Sequence, residues 1–166
     1  METQTTVQSR VAPTGCCPPF DPAPWRDKEI KWDAEPFVQD HVRSVFYVPL
    51  RLAKHVAKSQ ALIEAAGASP DVPLLLSDEK SPWGSDLYIR VARPVPGARN
   101  TTLSGTFLTR VYEGPFKEIP HWAANMRSFV AARDKKLEKL YFAYTTCPAC
   151  AEAYGKNYVV LFAKVA

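Results

Sequence analysis

The spacing of hydrophobic and polar residues changes several times along this chain, and each change marks an element. Residues Arg43 to Leu50 are dense in β-branched and aromatic side chains and predict a strand, ended by Pro49. Leu52, Val56 and Ile63 then recur at helical spacing among lysines and Glu64, which predicts a helix over about 51–66 with Gly67 as its stop. Val72 to Ser77 reads as a short apolar strand. Asp86 to Arg93 alternates Leu87, Ile89 and Val91 against Tyr88 and Arg90, as a half-buried strand does. The order then begins again. Leu103 to Tyr112 predicts a strand closed by Gly114 and Pro115. A helix follows over about 118–133, with Ile119, Trp122, Ala123, Met126, Phe129 and Val130 on one face. Lys139 to Thr146 and Asn157 to Val165 predict the last two strands.

The pattern is therefore β-α-β-β twice over, with about 60–70 residues between the two strand–helix starts. It defines an α+β class: two repeats, about 28–97 and 98–166, sharing one antiparallel sheet with both helices on one face. The other face is then open to a ligand, in a cleft between the repeats. Tyr88, Tyr144 and Tyr158 are natural walls for a flat, apolar molecule there. Residues 1–27 differ from the rest. Pro13, Pro18, Pro19, Pro22 and Pro24 forbid regular helix or central strand, so this stretch reads as a tail and then an extended strap carrying Cys16, Cys17, Phe20 and Trp25.

Composition narrows the partners. The chain has 166 residues, 46% of them hydrophobic and 23% charged, as in an ordinary soluble domain. A net charge of +4 without a run of like charges does not call for nucleic acid or a membrane surface. No apolar run approaches the ~18 residues of a membrane span, and the first residues lack the apolar core of a secretion signal. These features predict a cytoplasmic protein, monomer or homodimer, whose partner is a small molecule.

The four cysteines fall in two tight pairs, Cys16–Cys17 and Cys147-Pro-Ala-Cys150. Two sulfurs at C-x-x-C spacing can point at one ion from a tight turn, and a second pair brought up by the strap completes a tetrahedral zinc site. A redox disulfide within Cys147–Cys150, and free thiols, are the alternatives. Among the acids, Glu113 ends its strand at the turn before Gly114 and is the candidate general acid or base, with Tyr144 as the other candidate to activate water. Trp83, flanked by Pro82 and Gly84, is a candidate ligand platform, and Asp86 follows it closely. Tyr88, Trp122 and Phe142 complete the expected ligand-binding set, although Trp122 lies on the apolar helix stripe and also reads as core. His41, His55 and His121 show no partner spacing.

Two stretches carry a family resemblance: Gly105 to Phe116 followed by the helix bearing Trp122, and Asp86 to Val91 followed by Pro94 and Pro96. With the doubled β-α-β-β order, residues from about 35 to 166 resemble the GyrI-like small-molecule-binding family, a branch of the SOUL-type haem-binding fold. The resemblance implies a cleft between the halves that takes bulky aromatic or cationic molecules. For stand-alone members it implies hydrolysis of toxic molecules bearing a cyclopropane ring. It also implies a buried carboxylate on the strand after the second helix, and here Leu140 to Cys147 holds none. No helix-turn-helix pattern accompanies the domain, so a DNA-binding regulator is not expected. Three functions follow: a binder of a small apolar or aromatic molecule, a hydrolase acting on a small toxic or xenobiotic molecule, or a cysteine-based metal or redox protein.

Overall fold

The computed structural model describes residues 21–46, 48–145 and 157–166. The chain runs β1 (Lys28–Val45), β2 (Val48–Pro49), α1 (Leu52–Ala65), β3 (Leu75–Ser81), β4 (Gly84–Arg90), β5 (Arg99–Glu113), α2 (Ile119–Ala131), β6 (Leu137–Tyr144) and β7 (Tyr158–Val165). Both helices lie where the 3.6-residue spacing places them. The stop at Gly67 is a left-handed residue (φ +60°), with its N–H donating to the Glu64 carbonyl and the Ala68 N–H to the Ile63 carbonyl, a Schellman closure.

The first strand differs from its prediction. It begins at Lys28 and ends where the predicted strand began, and the segment from Arg43 to Leu50 is a hairpin bend into the two-residue β2. Residues 28–42 hide their strand character because a bulge between Trp32 and Glu35 breaks the alternation, and Pro36 and several charges follow the apolar positions. At the bulge Ala34 takes φ +52° and its N–H donates to Ser104 Oγ at 2.8 Å.

That bulge matters for the architecture, since it coils a long strand enough to reach two neighbours. All pairings are antiparallel, in the order β2-β1-β4-β3-β6-β7-β5, and β5 returns to β1. Six strands therefore close into a barrel. The expected open sheet, with one face covered by helices and one free, is not what forms. Closure turns the helix-free face inward, and both helices pack on the outside over different sectors. Ile63 of α1 covers Val38, Ile89 and Val91 of β1 and β4. Trp122, Met126, Phe129 and Val130 of α2 cover Leu108, Phe142, Leu161 and Ala163 of β5 to β7.

The inside is filled. Phe37, Leu76, Tyr88, Phe107, Tyr141 and Phe162 meet there, with Trp25 from the short 3-10 turn Ala23–Trp25 among them. Trp25 lies 5.3 Å from Phe162, and its carbonyl accepts from Thr109 Oγ1 at 2.8 Å. Trp32 packs on Phe37, Phe107 and Phe162 at 4.7–6.0 Å between ring centroids. Eight strands enclose roughly enough space for side chains alone, so six filled with aromatic rings leave no lumen for a ligand.

The turn after β5 holds a residue that only glycine suits. Gly114 has φ +147°, and a Cβ there would sit 3.3 Å from Trp122 Cζ2. Gly114→Ala is expected to lower stability by about 1–3 kcal/mol, from backbone strain plus displacement of that indole. Gly97→Ala (φ +79°, nothing within 4 Å) meets only the backbone penalty, about 1–2 kcal/mol. Urea midpoints of the two variants check the difference. Equal midpoints would remove the Trp122 contact from the explanation.

Candidate functional site

Barrel closure rearranges the expected site residues. Tyr88 is inside the barrel, edge-on to Phe37 and Tyr141. Phe142 and Trp122 are on the outside, in the core beneath α2, where Trp122 stacks on Tyr112 at 5.6 Å. Because side chains alternate across a strand wall, Tyr88 and Phe142 occupy opposite faces and do not share a ligand surface. Trp83 stands 57% exposed in the β3–β4 turn against Phe46, at 5.2 Å. Asp86 Oδ1 accepts from His41 Nδ1 at 2.9 Å. Glu113 is exposed at the end of β5, opposite Tyr158 in the ladder. Cys16, Cys17, Cys147 and Cys150 lie outside the described residues. Among the described residues no group of three or more His, Cys, Asp or Glu is placed to hold a metal ion.

Among the described residues of the predicted site, Tyr144 borders a cleft. This cleft, of about 640 Å³, has walls from distant parts of the chain. One wall is Val56 and Gln60 of α1 and the loop through Val72 and Pro73. The other is Ala143 and Tyr144 of β6 and Val160 of β7. It opens at the seam where β3 meets β6, joined by the single ladder pair Ser77–Phe142, with Trp25 closing one side. Its size is that of a small-molecule site, and its lining is mostly apolar. One cation reaches it, Arg90, and that guanidinium is already held by Glu35, with both Nη2 and Nε bonded to Oε1 at 2.7 and 2.8 Å.

The chemistry sits one hydrogen bond from the wall. The Tyr144 hydroxyl donates to Glu79 Oε1 at 2.5 Å. β3 carries Ser77 and Glu79 on the same outward face that β6 gives to Phe142 and Tyr144, and the Glu79 carboxylate meets the phenol diagonally past the Ser77–Phe142 pair. Phe142 lies parallel to the Tyr144 ring at 6.3 Å and Phe116 packs edge-on at 6.0 Å, which dries the pair. Burial pushes the Glu79 carboxyl above its ordinary range, against the hydrogen bonds from Tyr144 and Ser77 that pull it down. The neighbouring Asp78 charge adds to the upward push. Burial first, and the Glu79 charge second, raise the Tyr144 phenol far above its usual value, so it remains a donor.

Glu79 was absent from the sequence-derived set. An acid in a Ser-Asp-Glu-Lys run looks like solvated turn surface, and its partner lies 65 residues away. One sign was available. The resemblance called for a buried carboxylate on the strand after the second helix, that strand has none, and the strand beside it in the barrel supplies Glu79.

A six-stranded antiparallel barrel with two outer helices, and a dry carboxylate–phenol pair beside an apolar cleft, defines the class of small α+β domain to which this chain belongs. Within that class residues 7–165 match the model of a family described as bacterial hydrolase, and the chain belongs to that family. Two solved structures from Listeria innocua share its fold. A hydrolase is 15% identical with a TM-score of 0.61, and an uncharacterized conserved protein is 14% identical with a TM-score of 0.61. Each alignment covers 85% of this chain and 92% of the other. No curated protein matches the sequence. The hydrolase branch expected from the resemblance agrees with the matched family, whose description does not carry the GyrI-like name.

No helix among the described residues is long and apolar enough to cross a membrane.

Proposed function

We propose that this protein binds a small, largely apolar or aromatic molecule in the cleft between its two repeats and hydrolyses it, with Glu79 as the proton acceptor for the attacking water. The hydrogen bond from Tyr144, a residue of the cleft wall, to Glu79 carries this reading. A carboxyl whose affinity for protons is raised by burial is a better base near neutral pH than an exposed one. Tyr144 occupies one acceptor position of the carboxylate and fixes its orientation, while a carboxylate offers further lone pairs to a water. The apolar walls exclude bulk solvent and fit a substrate without strong charge. The matched family description favours hydrolysis over binding alone. Among the described residues Glu113 forms no such pair, which favours Glu79 over it for the acid–base role.

Turnover of aryl esters such as p-nitrophenyl acetate and butyrate by the purified chain tests the reading, with Glu79→Gln as the reference. Hydrolysis by the parent that Glu79→Gln loses is the expected result. Saturable binding of the aryl group with no turnover would leave a binding protein. Turnover that Glu79→Gln leaves intact would remove Glu79 from the mechanism.

A further inference from the structure

A second cavity, of about 470 Å³, lies on the other side of α1, and its charge is of a different kind. Arg51, Lys54, His55 and Lys58 follow one another at i, i+3, i+4 and i+7, so they form a single stripe along the helix, and this stripe lines the cavity. Arg99, from the start of β5, faces them across it. The one acid in the lining is Asp40 of β1, and its Oδ2 is taken by His55 Nδ1 at 2.8 Å. Among the described residues, Arg51, Lys54, Lys58 and Arg99 form no ion pair with a carboxylate.

Gathering these cations costs stability. Like charges three and four residues apart on a helix repel by a few tenths of a kcal/mol each, roughly, and Arg99 adds to the field. The first turn of α1 holds no acid and has no side-chain cap to relieve it. Arg51 occupies the cap position in the left-handed region, at φ +56°. An anion bound between these exposed cations would return the lost energy.

We propose that this cavity binds the phosphate group of a small molecule. Two guanidiniums offer planar forks to phosphate oxygens, and two ammonium groups supply compact charge. Four permanent charges exceed what a single carboxylate needs and match a dianionic or longer phosphate. Ser59, 6% exposed, adds a hydroxyl at the cavity floor. The site is separate from the apolar cleft, with α1 between them. A soluble metabolite and a lipid headgroup both offer this phosphate chemistry.

Calorimetric titration with inorganic pyrophosphate tests the site on the full chain. One saturable site is expected, weakened about tenfold or more in the double variant Lys54→Gln/Arg99→Gln. Arg127→Gln, an exposed cation on α2, should bind as the parent does. Both pocket residues are exposed, so the double variant should keep the parent's urea midpoint, and that measurement guards against a folding artefact. Sedimentation with phosphatidate vesicles separates the two sources. Vesicle binding that pyrophosphate displaces assigns the phosphate to a lipid headgroup, and pyrophosphate binding without vesicle binding assigns it to a soluble molecule. No saturable pyrophosphate binding, or equal weakening by Arg127→Gln, overturns the proposal.

Discussion

Phe162→Ala is expected to bring the whole domain close to unfolding. Phe162 is fully buried at the centre of the barrel, with Trp25 on one side and Trp32 on another. Deleting a buried phenyl ring removes its transfer energy and leaves a cavity, together about 3–5 kcal/mol. Domains of this kind are stable by about 5–15 kcal/mol in total, so the loss is a large share. With a urea slope of about 2 kcal/mol per molar, the midpoint should fall by roughly 2 M. Phe162→Leu, which refills most of the space, should cost about 1.5 kcal/mol or less. Phe46→Ala, at a side chain 73% exposed, should stay within about 0.5 kcal/mol. The result bears on function as well as stability. A Phe162→Ala midpoint equal to the parent's would mean that the aromatic interior is loosely filled, and the ligand would then be sought inside the barrel instead of in the outer cleft.

The second large effect is on catalysis. Glu79→Gln keeps an oxygen to accept from Tyr144 and removes the base, so the fold should persist while aryl-ester turnover drops by about 10²–10⁴-fold. Tyr144→Phe acts differently. Its hydroxyl holds the Glu79 proton affinity down, so its removal lets burial push the carboxyl higher still. The acid limb of kcat/KM should therefore move to higher pH in Tyr144→Phe, with a smaller loss of rate at alkaline pH. A purely structural tyrosine would lower activity without moving that limb.

Stability should follow the same linkage. The folded state holds the Glu79 proton more tightly than the unfolded chain does. The resulting contribution is fully present below the unfolded pKa and is lost as pH rises through the folded one. The parent should lose stability relative to Glu79→Gln over that rise, and urea midpoints of the two proteins across the acid-to-neutral range measure it. Parallel curves would mean that Glu79 is not perturbed by burial.

These expectations rest on features that the sequence shows to different degrees. Both helices, the strands after them and the Gly67 stop follow from local periodicity and backbone preference, which neighbouring residues decide among themselves. The start of the first strand does not, because the bulge at Trp32–Glu35 interrupts the alternation that would reveal it. Trp122 reads first as core and second as ligand wall, and α2 lying on β5 to β7 decides for the core. The cationic stripe of α1 is visible as spacing, yet Arg99 and Asp40 join it only through β1 and the start of β5.

By itself the sequence determined both helices and most of the strands in their order, because those depend on contacts within a turn of helix or a few residues of strand. Tertiary structure alone decided that the sheet closes, since β1 meets β5 through pairings some 70 residues apart. Closure in turn decided which face of each strand is inside. That single choice buried Tyr88, placed Phe142 and Tyr144 outside, and set Glu79 across the seam from a phenol 65 residues away. A strand's alternation shows that it has two faces but carries no information on which of them the rest of the chain will enclose.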